Sequence, residues 1–292
     1  MKEFKEISAI AWFVGFALLS SCRTAPNDIY NRIGVCTSVE NAPIVQAAGG
    51  SYVEVGIAGF MKAEQGDDVW SENAAKAKAC VLPITSGNGY YPADIRLVGP
   101  DAEPERAIRY AEVALRRAAE IGLKTVVFGS SKARNIPEGF SREEATAQFT
   151  DICRRMAPIA EKYGITVVIE PLQKSETNFI NTVLEGLDIV LAVNHPNLCV
   201  LADFFHMARE GESPESIVKA GKHLRHCHIA ECENRTAPGV AGDDFRPYFR
   251  ALKQIDYRGN ISLECRWDDF SREAGSAIAE VKKQLHEVFD EQ

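Results

Sequence analysis

Thr166-Val167-Val168-Ile169-Glu170-Pro171-Leu172 is a run of β-branched apolar residues that ends on a carboxylate and is closed by proline. β-Branched side chains favour strands, and proline cannot extend a hydrogen-bonded ladder. The pattern recurs downstream. Leu198-Cys199-Val200-Leu201-Ala202 ends in Asp203, Leu224-Arg225-His226-Cys227 ends in His228, and Ile261-Ser262-Leu263 ends in Glu264. Near-continuous apolar strands are those buried on both faces, as in parallel sheets. Each of these runs delivers an oxygen or imidazole donor at its C-terminal edge, which is the edge where parallel α/β architectures carry their chemistry.

Working outward, further strands are expected at Ile33-Gly34-Val35-Cys36, Tyr52 to Ile57, Cys80-Val81-Leu82-Pro83 and Thr125-Val126-Val127-Phe128. Helical periodicity or capping marks 41–48, 103–121, 141–163, 181–193, 213–222, 243–254 and 270–289. Ser141 is placed to cap its helix, with Glu143 and Glu144 in the first turn where the macrodipole favours them. Gly122 and Gly164 follow helix ends as stop residues. Eight strands alternating with helices through short connections specify a (β/α)8 TIM barrel over 33–292, a single catalytic domain. A doubly wound sheet is the alternative, and it rarely needs so many strands in a chain of this size.

The chain has 292 residues and a formal net charge of -8. It has no dense Lys/Arg run of the kind that neutralises phosphates, which argues against a nucleic-acid partner. At the N-terminus Lys2 and Lys5 precede an apolar run, Ile7 to Leu19, too short for a comfortable membrane span. It leads into Leu19-Ser20-Ser21-Cys22, which resembles a bacterial lipoprotein signal. That resemblance implies a signal peptide at 1–21, lipidation of Cys22 and a tether over 22–32. It also implies export to a bacterial membrane, the outer one facing the periplasm, with membrane contact only through the lipid. The other seven cysteines are an odd number and cannot all pair. Several lie in or beside apolar runs as small buried hydrophobes, an unusual content for an exported chain.

On a barrel strand alternate residues point inward, so His226 and His228 share a face. His228, nearer the carboxyl edge, is the expected ligand, and His226 is a deeper residue that either supports the ligand set from behind or belongs to the core. Glu170, Asp203, His228 and Glu264 then supply three carboxylates and one imidazole. This oxygen-rich set suits Mn2+ or Mg2+, and Co2+ or Zn2+ are compatible with it.

With its strand ends in this order, the chain resembles the sugar-phosphate isomerase/epimerase group of xylose-isomerase-like TIM barrels, and within it the ketose 3-epimerases. The segments that carry the likeness are Glu170-Pro171-Leu172 with Glu176 and Thr177-Asn178-Phe179, then Asp203-Phe204-Phe205-His206, His226-Cys227-His228 with Asn234-Arg235, and Leu263-Glu264. Tyr91-Pro92-Ala93-Asp94-Ile95 and Phe128-Gly129-Ser130 with Arg134 add to it. The resemblance implies one divalent ion on Glu170, Asp203, His228 and Glu264, with Glu170 and Glu264 also acting as the acid/base pair. It implies that His206, Glu176 and Arg235 bind substrate oxygens. The stretch between His228 and Arg235 is one residue longer than the ketose-epimerase pattern, which leaves the placement of Arg235 open.

The expected activity is isomerisation or epimerisation of a sugar or related keto-polyol, by proton transfer through an enediolate. A keto-sugar or inosose dehydratase would use the same carbanion chemistry. A non-catalytic, lipid-anchored sugar-binding protein would not need two opposed glutamates. Self-association into a homo-oligomer is open. Arg134 is read either as a ligand for a substrate oxygen or as a rim salt bridge, and Tyr90 and Tyr91 either as pocket wall or as packing.

Overall fold

The computed structural model describes residues 28–291. The expected signal peptide and Cys22 lie outside the described residues. In chain order the elements are β1 (Ile33–Cys36), α1 (Ala42–Ala47), β2 (Tyr52–Gly56), α2 (Ile57–Met61), α3 (Asp67–Ala79), β3 (Ile84–Asn88), α4 (Pro104–Glu120), β4 (Thr125–Phe128), α5 (Ser131–Arg134) and α6 (Arg142–Lys162). They continue with β5 (Thr166–Ile169), α7 (Val183–Val193), β6 (Leu198–Asp203), α8 (Phe204–Glu210), α9 (Glu215–Ala220), β7 (Leu224–Ile229), α10 (Arg246–Gln254), β8 (Asn260–Leu263) and α11 (Phe270–Phe289). All strands pair in parallel with their sequence neighbours, and β8 returns to pair with β1, closing the barrel.

The main apolar core lies between the strands and the outer helices. The inward rows are different. On β4, β5 and β6 they form a separate apolar cluster of Val127, Val168, Cys199 and Leu201. On β2, β3, β7 and β8 they are buried and polar: Glu54, Ser86, His226, His228 and Ser262. The barrel interior is therefore half hydrocarbon and half hydrogen-bond network.

That division explains one correction. The third strand is Ile84–Asn88 and does not include Cys80-Val81-Leu82-Pro83. Val81 is 53% exposed, and Pro83 has no N–H for a ladder. The true strand, Ile84-Thr85-Ser86-Gly87-Asn88, looks like a loop because its inward residues serve polar neighbours. Ser86 donates to Glu54 Oε2 (2.7 Å) and Asn88 Nδ2 donates to Glu264 Oε1 (2.7 Å). The preceding helix α3 buries only Trp70, so it carries almost no apolar periodicity.

Ser141 caps α6 by accepting from the Glu144 N–H (3.2 Å), and Gly122 and Gly164 take positive φ after α4 and α6. The last residues of the expected tether are packed. Ile29 is buried, and Tyr30 stacks on His286 of α11 and donates to Asp290. The described cysteines are all unpaired, with Cys153, Cys199 and Cys227 buried.

Gly34 shows how tightly β1 and β2 fit. A Cβ there would collide with the Tyr52 ring, whose hydroxyl donates to Ser262 (2.7 Å). Gly34→Ala should therefore cost about 1–3 kcal/mol by overpacking, read as a lower urea midpoint at constant m-value. An unchanged midpoint would show that the Tyr52 ring is free to move aside.

Candidate active site

The site is assembled at the C-terminal ends of β5 to β8, with support from β2. Arg134, fully buried, donates to the backbone carbonyls of Phe128 (3.0 Å) and Glu170 (2.7 Å). It binds neither a rim carboxylate nor the open pocket. Its guanidinium holds the ends of β4 and β5 together and so fixes the main chain that carries Glu170. Gly129 faces the Glu170 carboxylate so closely that a Cβ there would overlap Oε2. Tyr90 and Tyr91 are buried among Tyr110 and Phe128, and the Tyr91 hydroxyl donates to the Ala107 carbonyl (3.2 Å), so this pair is packing.

Asp203 divides its oxygens between two tasks. Oδ1 caps α8, accepting from the N–H groups of Phe205 (2.8 Å) and His206 (3.4 Å), and Oδ2 faces Arg235 Nη2 at 3.1 Å. The same Nη2 contacts Glu264 Oε2. Arg235 thus reaches the site despite the longer connection. Its backbone and that of Asn234 sit in the left-handed region, with φ of 58° and 56°. Burial opposes the charge on Arg235, but Glu264 and Asp203 more than compensate and its pKa is raised.

His228 is the hub. Its Nε2 donates to Glu54 Oε1 (2.9 Å). Its Nδ1 lies 3.0 Å from Glu170 Oε1 and 3.0 Å from Glu264 Oε2. Burial works against the imidazolium, yet the surrounding carboxylates, Glu54 first, push the His228 pKa well above its ordinary value. A positive centre is therefore demanded beside Nδ1, and a proton on Nδ1 or a metal ion answers that demand.

The glutamates differ. Burial raises the Glu170 pKa, aided by Glu264 and Asp203 against the pull of His228. Burial acts the same way on Glu264, but His228 and Arg235 outweigh it and hold its carboxyl at about 2. The Glu170, Asp203, His228 and Glu264 ligand atoms all lie within 4.8 Å of one another, so this set fits a divalent ion in both donor chemistry and spacing. Cys36, Glu54 and His228 form a second such group. Glu54, however, already accepts from His226, Ser86 and Ser262 at Oε2 and from His228 at Oε1, all at 2.6–2.9 Å, so its carboxylate is engaged in the barrel network.

Glu54 is the residue that sequence reasoning missed. It holds the His228 imidazole from behind, as outer carboxylates hold metal-ligating histidines. His226, expected either behind the ligand set or in the core, also donates to Glu54 (2.8 Å) and does not reach the ligand set.

His206 Nδ1 accepts from the Gln173 N–H (3.2 Å), which places its proton on Nε2. That buried Nε2 has no hydrogen-bond partner and lies 3.5 Å from Asp203 Oδ2. Glu176 accepts from Gln173 Nε2 (2.8 Å). His206, Glu176, Arg235, Asn88 and Ser130 line a pocket of about 310 Å3 that also reaches Glu170 and Glu264.

A family model described as xylose isomerase-like TIM barrel matches residues 43–287. The chain belongs to the xylose isomerase-like TIM barrel family. This barrel is 39% identical over 127 residues to L-ribulose 3-epimerase of Methylomonas sp. (strain DH-1), covering 43% of this chain and 44% of that protein. The chain thus spans less than half the length of that curated relative. A match of 26% identity over 226 residues, covering 73% of this chain and 84% of the relative, is to 3-dehydro-D-guloside 4-epimerase of Escherichia coli (strain K12). Among solved structures, D-allulose 3-epimerase from Methylomonas sp. in complex with D-allulose has a TM-score of 0.74 at 25% identity, over 87% of this chain and 96% of that one. The relatives are sugar epimerases.

If the carboxylate–imidazole set holds an ion, saturating Mn2+ should raise the melting temperature by about 5 °C, the size expected for a ligand near 100 times its Kd on a domain of this length. Asp203→Asn keeps a good helix cap and removes one ligand charge, so it should abolish most of that shift. An equal shift in the variant would place the ion elsewhere.

Proposed function

We propose that this protein is a divalent-metal-dependent epimerase or isomerase that moves a proton at the carbon beside a sugar carbonyl. The observation that carries the reading is that Glu170 and Glu264, from separate strands, converge on one imidazole nitrogen at 3.0 Å each. Binding alone has no use for two carboxylates so disposed. The epimerase relatives support the same reaction class.

When bound, the divalent ion would be held by Glu170, Asp203, His228 and Glu264 and would supply a Lewis acid, Mn2+ or Mg2+ best matching the donors. The chain's own residues do the rest. One glutamate removes the proton beside the carbonyl and the other returns one. Return to the opposite face of the same carbon is epimerisation, and return to the neighbouring carbon is aldose–ketose isomerisation. The free Nε2–H of His206 donates to a substrate oxygen as negative charge develops there. Arg235 donates beside it, and Glu176, accepting only, orients a hydroxyl. The Glu54–His228 bond keeps the imidazole from turning as charge shifts around it. Dehydration of a keto-sugar is the competing outcome of the same proton removal.

In D2O with Mn2+, the full chain should place deuterium at the carbon beside the carbonyl of a ketose. Glu264→Gln and Glu170→Gln should each slow that exchange by about 10^2–10^4-fold with the circular dichroism spectrum retained. Full exchange in Glu264→Gln would remove the acid/base assignment, and loss of water from the sugar would indicate the dehydratase.

We also propose that the chain is exported and anchored through a lipid on Cys22. Radiolabelled palmitate should enter the protein made in a bacterial host and be absent from Cys22→Ser. Equal labelling of both would rule the anchor out.

A further inference from the structure

We infer that the barrel mouth carries a second sugar subsite on its β1–β2 side, so that the preferred substrate is a keto-sugar bearing a glycosidic substituent. The inference rests on the proton-transfer reading above and specifies its substrate class. A cavity of about 510 Å3 lies between the loop after β1, the end of β2, and helices α2 and α3. It shares Asn88 and Glu264 with the 310 Å3 reaction pocket, so the Asn88–Glu264 hydrogen bond is a ridge between two adjoining lobes. Pockets for small ligands run from about 300 Å3 upward. The reaction pocket alone is sized for one small sugar, and the lobe beyond the ridge is larger than the pocket where the chemistry occurs.

Two glycines line that lobe. A Cβ at Gly56 or Gly59 would meet no atom within 4 Å. Gly56 has φ of -71°, and neither glycine is among those with positive φ. Backbone geometry therefore does not call for glycine at either place, and larger side chains can be introduced there.

The wall is built rather than loose. Arg117, buried, donates to the carbonyls of Met61 (2.9 Å), Lys62 (2.6 Å) and Gln65 (3.0 Å), and Asn73 Nδ2 donates to the Phe60 carbonyl (2.7 Å). The lining mixes the apolar Val39, Val55 and Phe60 with the hydroxyls of Thr37 and Ser38, the amides of Asn73 and Asn88, and charges of both signs, Lys62 and Lys76 with Glu40 and Glu264. A surface of both kinds matches a sugar ring, which presents C–H faces and hydroxyl edges, better than a strongly anionic group. A substituent on a sugar whose reacting carbon lies against Glu264 would enter this lobe by crossing the Asn88–Glu264 ridge.

The test compares a keto-disaccharide with the matching free keto-monosaccharide, using the full chain with Mn2+ and solvent deuterium exchange. The disaccharide should have kcat/KM higher by about tenfold or more, and Gly59→Trp, which fills the lobe, should lower that ratio by about tenfold or more. Gly56→Leu, just before the same helix, serves if Gly59→Trp fails to fold. Equal kcat/KM for the two sugars, or a ratio unmoved by either substitution, would overturn the subsite. Calorimetric titration with the disaccharide separates this from failure of the reaction itself. If neither sugar exchanges, the proton-transfer reading falls. In that event disaccharide binding weakened by Gly59→Trp still supports the lobe, and binding that is absent or unaltered overturns it.

Discussion

A carboxylate buried inside the barrel, Glu54, is the constraint on which the site depends. Removing such a charge from water costs several kcal/mol, and four donors offset that cost: His226, His228, Ser86 and Ser262. They come from β7, β3 and β8, so one side chain from β2 ties four strands together through the interior. Hydrocarbon at this position would pack with less penalty. What the carboxylate adds is direction. By accepting from Nε2 of His228 it turns Nδ1 toward Glu170 and Glu264, and the polar half of the barrel interior follows from keeping that ring in place.

The apolar half has the complementary role. Val127, Val168, Cys199 and Leu201 form a rigid, dry layer beneath the ends of β4, β5 and β6, while Arg134 fixes the exit of β5 from outside. Glu170 and Asp203 thus leave stiff hydrocarbon strands, and His228 and Glu264 leave strands organised by hydrogen bonds. The carboxylates that meet at Nδ1 are therefore positioned by two kinds of packing, and their opposed shifts follow from Arg235 lying against Glu264 while burial prevails at Glu170.

Much of this was legible in the sequence. Thr166–Ile169 and Phe270–Phe289 form where their apolar patterns place them, because both bury a continuous hydrophobic surface. The four strand-end donors converge as their shared register implies. The third strand was not legible, since Ser86 and Asn88 answer to partners far away in the chain. Glu54 was hidden for a related reason. Between Val53 and Val55 it looks like the solvent side of an alternating strand. A parallel strand has no solvent side, so an acidic residue at its centre is itself the signal. Arg134 and the Tyr90-Tyr91 pair were ambiguous because a rim arginine and paired aromatics serve packing and binding equally well until burial is known.

The divided carboxylate of Asp203 joins the fate of a short helix to that of the chemistry. One oxygen holds the first turn of α8, and the other belongs to the cluster around Arg235. His206 rides on that same turn. Fraying of α8 would carry His206 away and strip Asp203 Oδ1 of its N–H partners, while Asp203 itself stayed on β6. One turn of helix thus couples the position of His206 to the orientation of the carboxylate that faces Arg235.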